Sequence, residues 1–258
     1  IFKSNMKNST ELVTVESLTK KQTNLSIFLI GVMFFIFGFI SWVNAILIPY
    51  FKIACELTSF QSYLVAFAFY IAYFVMSVPS SFLLKKHGFK KGMMFGFWMM
   101  ALGAFIFVPA ALTRTYSIFL MGLFTIGIGL AILQTAANPY ITILGPQERA
   151  AQRISIMGIC NKAAGILSPL IFAAVILRPT DTALFEQLQH MGDVERAAAL
   201  DELIRRVITP YTALGIFLLT LGYLVFRSPL PEIDTEHESE EVASVNSNKK
   251  SIFEFPHL

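Results

Sequence analysis

The fold of this chain is decided by an uncharged stretch at residues 116–144, which reads YSIFLMGLFTIGIGLAILQTAANPYITIL. Its 29 residues hold no Asp, Glu, Lys or Arg. A helix of about 20 predominantly apolar residues is long enough to cross the hydrocarbon core of a bilayer. An open strand would leave backbone groups without hydrogen bonds in lipid. The stretch therefore predicts a membrane-spanning helix.

Five further apolar segments of similar length repeat this pattern. Together they predict six spans, at 25–50, 60–84, 92–112, 116–144, 154–177 and 208–226. The links are mostly short, which makes neighbouring helices antiparallel. The predicted fold class is an all-α membrane protein with six transmembrane helices. Residues 1–24 form an N-terminal tail, 25–227 the six-helix bundle, and 228–258 a linker with the start of a further span. We therefore expect the chain to be a fragment.

The composition agrees with a location in lipid. Hydrophobic residues make up 55% and charged residues 14% of the 258 residues, whereas a soluble domain is about 25% charged. This composition excludes a disordered chain. The net charge of +3 comes without a dense basic stripe for nucleic acid. Cys55 and Cys160 give no disulfide framework, and no residues have metal-ligand spacing. With no nucleophile–base pair in the spans, we expect no enzymatic activity.

Lys and Arg residues are shared unequally between the two faces of the predicted bundle. Thirteen of the 20 lie in the two tails and in the links after spans two and four, and six lie on the opposite face. Because cytoplasmic loops carry the excess of positive charge, both ends of the chain are predicted to be cytoplasmic.

The long fifth link, on the other face, contains a predicted amphipathic helix at 193–207. Its apolar side holds Ala197, Leu200, Leu203 and Ile204. Either a solvated surface helix or a cap over the external mouth fits this pattern.

The spans contain no acidic residue and a single charged one, a lysine in the middle of span five. Ionisable residues at such depth are costly and commonly mark function. Four amides accompany it, and an amide offers both donor and acceptor, as sugar hydroxyls require. The candidate substrate-binding residues are Asn44, Gln134, Asn138, Asn161 and Lys162. Amides also bond between helices and merely hold a bundle together, but for this set with a lysine we favour a polar cavity.

Structural or gating roles are expected for a second group of residues. Pro139 lies inside span four and frees the carbonyl of Thr135, and interrupted helices recur at transporter binding sites. Lys85, Lys86 and Lys90 belong to a basic turn after span two, which membrane anchoring explains without a ligand. Close helix approach is predicted at Gly122, Gly127, Gly129, Gly158 and Gly165.

Three short segments carry a family resemblance. Residues 44–49, NAILIP, are similar to a first-helix motif Asn-Asp-Ile-Leu-Ile-Pro, and residues 134–140, QTAANPY, with the following LGP at 144–146, are similar to a fourth-helix signature. The basic segment at 85–92 is similar to a family turn. The family is the sugar-permease branch of the major facilitator superfamily that includes the L-fucose permease and the bacterial glucose/galactose transporters. The likeness runs from span one to about residue 232.

The resemblance implies a twelve-helix transporter of two six-helix halves that works by alternating access, with this chain as the N-terminal half. By position, Gln134 matches a substrate-binding glutamate of the fucose permease and a glutamine of the glucose/galactose branch. Asn138 and Asn161 match polar positions of the family. Ala45 stands where the family has an aspartate implicated in proton coupling, so the resemblance does not bring proton coupling to this half. Lys162 replaces a small polar residue.

The leading hypothesis is secondary active transport of a monosaccharide, a hexose or deoxyhexose such as glucose, galactose or fucose, across the bacterial inner membrane. Expected partners are the sugar, the lipid bilayer and a missing C-terminal six-helix half, and no nucleic acid. No cofactor is expected, and the choice between a proton and sodium as coupling ion is left open. The alternative hypothesis is a six-span channel or scaffold subunit with an amide-lined cavity.

Overall fold

The computed structural model describes residues 19–176, 178, 181–188, 190–228 and 230, without the side chains of 44–46, 147 and 182. Eight α-helices lie within these residues. They are α1 (Lys20–Ala54), α2 (Ser59–His87), α3 (Phe89–Thr113), α4 (Tyr116–Ile143), α5 (Ala150–Ile176), α6 (Asp181–Gln187), α7 (Asp193–Arg205) and α8 (Ile208–Arg227). Six helical regions, with α7 and α8 taken together, are long and apolar enough to cross a membrane. The predicted six-helix membrane fold is confirmed. The tail before residue 19 and the linker after residue 230 lie outside the described residues.

The first two helices begin before the apolar spans because polar residues cap them. Thr19 and Gln22 form a capping box at the start of α1, in which each side chain bonds the backbone N–H of the other. Thr58 and Gln61 do the same for α2. Such reciprocal bonds satisfy N–H groups that have no partner within the helix. At its other end α2 stops at Gly88, whose φ of +78° favours glycine, and α3 begins on the next residue.

Glycines set the distances between the membrane helices. α3 packs against α4 and α8, α1 against α5, and α2 against α4. A Cβ on Gly129 of α4 would lie 2.5 Å from the carbonyl oxygen of Gly96 on α3, so only glycine permits this approach. The close approaches predicted at four glycines are confirmed: Gly122, Gly127, Gly129 and Gly165. The prediction for Gly158 is wrong, because no described atom comes within 4 Å of its Cβ position.

An aromatic core closes the end of the bundle opposite the basic turn. The rings of Phe51 and Phe119 have centroids 4.5 Å apart, and those of Phe107 and Tyr211 stack at 4.1 Å. All four side chains are buried. Because they come from α1, α4, α3 and α8, they join the ends of four membrane helices.

The long link between α5 and α8 (residues 177–207) lies, in its described residues, over this aromatic end. Leu200, Leu203 and Ile204 of α7 are buried, and the Tyr50 hydroxyl of α1 donates to the Leu203 carbonyl. The predicted amphipathic helix is present, but Ala197 is exposed rather than part of the buried face, because the first turns of α7 lie beside the polar links after α1 and α3. The short helix α6 was not predicted, since seven residues are too few to show a helical period.

A buried ion pair holds the long link together. Arg206 Nη1 donates to both carboxylate oxygens of Asp181, at 2.8 and 2.9 Å, and Asp181 also accepts from the backbone N–H of Arg178 at 2.9 Å. Only 4% of the Asp181 side chain and 13% of the Arg206 side chain are exposed. The pair therefore neutralises two charges that have little access to water.

A second set of ion pairs ties α7 to the shorter links beside it. Glu56, which follows α1, binds Arg196 of α7 at 2.8 Å and Arg114 at 3.6 Å. Arg114, which follows α3, binds Asp201 of α7 at 3.1 Å. Through these contacts the links after α1 and α3 are joined to the helix that precedes α8.

At the basic end, Arg153 of α5 caps the end of α4. Its guanidinium donates to the carbonyls of Ile141 at 3.0 Å, Thr142 at 2.7 Å and Pro146 at 2.9 Å, and the residue is 5% exposed. The last carbonyls of a helix have no partner within the helix. Arg153 thus satisfies groups that would otherwise be buried without hydrogen bonds.

Asp181→Asn should destabilise the protein by about 3 kcal/mol, because removing one partner of a buried ion pair leaves the other charge uncompensated. The matched control is Glu202→Gln, since Glu202 binds the same Arg206 at 3.3 Å but is 63% exposed. An exposed pair contributes at most about 1 kcal/mol. Thermal unfolding in detergent measures both, and equal shifts for the two variants would contradict the assignment.

Arg153→Lys should destabilise the protein by about 2 kcal/mol, because a single ammonium does not reach three carbonyls and leaves buried acceptors unsatisfied. Arg149→Lys, at an exposed position in the same link, should leave the unfolding temperature near that of the parent. The same thermal measurement, combined with limited proteolysis of the α4–α5 link, tests this. A loss confined to Arg149→Lys would refute it.

Candidate functional site

The five candidate substrate-binding residues lie on three helices: α1 carries Asn44, α4 carries Gln134 and Asn138, and α5 carries Asn161 and Lys162. The Asn44 side chain lies outside the described residues, and its role stays a prediction. No hydrogen bond between described side chains joins any two of the other four. Three of them instead contact groups that sequence reasoning did not identify.

Gln134 contacts a tyrosine on α2. Its Nε2 lies 3.5 Å from the hydroxyl oxygen of Tyr73, which is the long limit for a hydrogen bond. The Tyr73 hydroxyl also interacts with the Ser41 side chain of α1. The Tyr73 ring packs edge-on against Phe69, with centroids 6.0 Å apart. Ser41, Tyr73 and Gln134, which we name the Tyr73 cluster, thus connect α1, α2 and α4.

Asn161 makes a bond between helices. Its Nδ2 donates to the Phe34 carbonyl of α1 at 3.3 Å. The two backbones are close here, since a Cβ on Gly38 would lie 2.3 Å from the Asn161 carbonyl oxygen. The amide nitrogen therefore holds α1 and α5 together, which is the alternative weighed for these amides from sequence.

Lys162 lies over an aromatic ring. Its ammonium is 5.6 Å from the centroid of the Trp42 indole on α1, a position in which the ring attracts a cation. The indole rests in a notch at Gly165 of α5, where a Cβ would come 2.6 Å from Trp42 Nε1. Trp42 is 41% exposed, and Lys162 is exposed. We name Trp42, Lys162 and Gly165 the Trp42 platform.

Asn138 and Pro139 are both exposed, about 8 Å from the basic end of α4 at 1.5 Å per residue. The helix continues through Pro139 to Ile143, so the proline does not interrupt it. The Pro139 carbonyl accepts from the Thr142 hydroxyl at 2.6 Å. Membrane helices tolerate proline, and the expected break at Pro139 is not seen within α4.

The three lysines of the basic turn stand apart from these contacts. Lys85 and Lys86 are exposed in the last turn of α2, where positive charge is favourable beside the helix dipole, and Lys90 is half-buried in α3. None of them forms an ion pair with another described residue. A gating role for them stays a prediction.

Sequence reasoning missed Ser41, Tyr73 and Trp42 as site residues. One signal was available for Trp42. Lys162 and Gly165 are three residues apart and share one side of a helix, and the glycine leaves room there for a large ring from a neighbouring helix. For Tyr73 no comparable signal exists, since it is one of many aromatic residues on α2. The described residues hold no cluster of His, Cys, Asp or Glu that would bind a metal. The site consists of hydroxyls, amides, an aromatic ring and one cation, which suits binding of a polar molecule.

The chain is similar along most of its length to several known transport proteins. The L-fucose-proton symporter of Escherichia coli is 33% identical over 208 residues, which cover 81% of this chain and 48% of that protein. The glucose/galactose transporter of Brucella abortus is 39% identical over 243 residues, 94% of this chain and 54% of that protein. The putative glucose/galactose transporter of Helicobacter pylori is 31% identical over 243 residues, which cover 93% of this chain and 55% of that protein. The chain thus spans about half the length of these relatives.

Solved structures show the same similarity. The crystal structure of FucP, a major facilitator superfamily transporter in the outward conformation, superposes with a TM-score of 0.71 at 29% identity, over 88% of this chain and 56% of that one. A singly substituted variant of the Escherichia coli fucose:proton symporter gives a TM-score of 0.70 at 28% identity, over 89% of this chain and 57% of that one. The sequence model of the Major Facilitator Superfamily matches residues 30–255. This chain therefore belongs to the Major Facilitator Superfamily.

Proposed function

We propose that this chain forms part of a secondary active transporter that carries a monosaccharide, a hexose or deoxyhexose such as glucose, galactose or fucose, across the bacterial inner membrane by alternating access. The observation that carries the proposal is the similarity, along most of the chain, to relatives named as transporters of such sugars. The six helices long and apolar enough to cross a membrane are consistent with it.

The Tyr73 cluster supplies the chemistry for sugar binding. A sugar hydroxyl both donates and accepts hydrogen bonds, and the Gln134 amide offers one group of each kind. Tyr73 holds this amide toward α2 and is a positioning residue. Asn44, Asn138 and Asn161 are further candidates for bonds to the sugar, and Lys162 for contact with it. With no acidic residue in the predicted spans, a coupling proton or sodium ion would bind outside this set.

A second six-helix half completes the transporter in this proposal. The relatives are about twice as long as the matched region. On α2 large exposed residues recur every three or four positions: Phe60, Tyr63, Phe67, Tyr70 and Phe74. On α5 the exposed residues Ile159, Ile166 and Leu170 are seven and four positions apart and share one face of the helix. Such spacing suits packing against further helices at a shallow crossing angle. The basic end, with Lys85 and Arg153, faces the cytoplasm in this arrangement.

Counterflow in proteoliposomes tests the transport function. The protein is expressed from its complete gene, loaded inside with unlabelled galactose, glucose or fucose, and diluted into labelled sugar. A carrier that works by alternating access accumulates label transiently above equilibrium, whereas a six-span channel only equilibrates it. Collapsing the proton and sodium gradients separately then identifies the coupling ion from the loss of uphill uptake. No overshoot with any of the three sugars would refute the proposal.

Tyr73→Phe should raise the KM for the transported sugar about 5-fold, because it removes one hydroxyl worth about 1 kcal/mol while the ring that packs on Phe69 remains. The matched control is Tyr70→Phe, since the Tyr70 ring lies 6.4 Å from that of Tyr73 but its hydroxyl makes no hydrogen bond to a described residue. Initial rates of counterflow give KM for both variants. Equal KM values for Tyr73→Phe and the parent would contradict the positioning role.

A further inference from the structure

Lys162 lies too deep in the membrane to reach water at either surface. It is about 18 Å from the start of α5 at Ala150 and about 21 Å from its end at Ile176, at 1.5 Å per residue. The hydrocarbon core is about 30 Å thick, so the residue is near the middle. A four-carbon side chain does not bring the ammonium to the boundary from there. The charge therefore requires a polar or anionic partner at this depth.

The contacts of Lys162 hold it at this depth but leave its charge uncompensated. The Trp42 indole attracts the ammonium without carrying a negative charge. Every ion pair among the described residues lies in or beside the long link, and none includes Lys162. The sequence places no Asp or Glu inside any of the six predicted spans.

The two flanks of the α1–α5 contact differ in character. One flank is an apolar groove of about 510 Å³ lined by residues such as Phe28, Val32, Ile156 and Cys160. Cys160 and Lys162 are two residues apart and therefore about 200° apart around α5. Lys162 thus lies on the flank of the α1–α5 contact that faces away from the apolar groove.

The Trp42 platform and the Tyr73 cluster meet at the same level of α1. Ser41 of the cluster and Trp42 of the platform are consecutive residues, so their Cα atoms are about 3.8 Å apart. A molecule that binds to the Gln134 amide at this level is close in depth to the Lys162 ammonium. Because the side chains of consecutive helical residues point about 100° apart, a ligand that contacts both the cluster and the platform spans two adjacent faces of α1 at one depth.

We infer that the Trp42 platform is an anion-binding subsite and that the substrates include monosaccharides with a carboxylate, such as a hexuronate. The inference rests on the proposed function. The sugar hydroxyls bond to the Gln134 amide, and the carboxylate accepts charge-assisted hydrogen bonds from Lys162. Gly165 does not contact the carboxylate in this arrangement. It makes room for the indole, which in turn positions the ammonium.

Competition and counterflow with galacturonate and galactose test the inference on the protein expressed from its complete gene. In the parent protein, unlabelled galacturonate should suppress galactose counterflow and itself undergo counterflow. Lys162→Gln should lower the ratio of galacturonate to galactose counterflow at least 10-fold, whereas Lys162→Arg should keep it within about 3-fold, since it retains the charge. Gly165→Ala, which displaces the indole, should lower the ratio as well. Lys52→Gln, at a lysine beyond the spans, is the matched control and should leave the ratio unchanged.

The outcomes separate the two proposals. Galactose counterflow without any effect of galacturonate on the parent would overturn the anion subsite and leave sugar transport standing. Lys162→Gln would also overturn it if the variant lost counterflow of both sugars while thermal unfolding showed it to be folded. The lysine would then be neutralised by an acidic residue of the transporter itself. Absence of counterflow with every sugar would overturn the proposed function and the subsite together.

Discussion

An uncompensated charge in hydrocarbon is unfavourable by several kcal/mol, and this constraint orders the whole chain. All six ion pairs between described residues lie in or beside the long link at the aromatic end. The buried Arg153 lies at the opposite end and bonds to three carbonyls. Between these two ends the helices are held by glycine contacts and aromatic packing. Lys162 is the exception, and for that reason it is the residue most informative about function.

The strong interactions of the bundle lie at its two ends, away from the candidate site. The buried Arg206–Asp181 pair and the Arg153 cap join segments that follow one another in the chain, and they hold the bundle at both of its ends. The contacts of the Tyr73 cluster are weaker, with the Gln134–Tyr73 distance at the long limit for a hydrogen bond. In the proposed function, such a weak internal contact lets the Gln134 amide exchange its partner for a ligand hydroxyl at little cost in free energy.

The six membrane helices could be predicted from sequence because apolar length alone determines them. The side-chain contacts could not, because they depend on how helices distant in sequence are rotated against each other. Arg153 counted in the sequence only as one positive charge, whereas the structure shows it capping α4. Pro139 suggested an interrupted helix, but α4 is continuous. Ala197 matched the period of the α7 face and is nevertheless exposed, since the period does not tell which turns of α7 lie on other helices and which lie beside polar links.

Helix α1 contacts both parts of the candidate site as well as the long link and α4. Ser41 and Trp42 give it contacts with both parts of the candidate site, and Tyr50 near its far end donates to the Leu203 carbonyl of α7. Phe51 packs on Phe119 of α4, so the long link, α1 and α4 are held in one arrangement. If alternating access moves this bundle as a rigid body against a second half, the Tyr73 cluster and the Trp42 platform keep their relative geometry throughout. The change between outward and inward states then falls on the exposed faces of α2 and α5, where large apolar residues lack partners within the described part of this bundle.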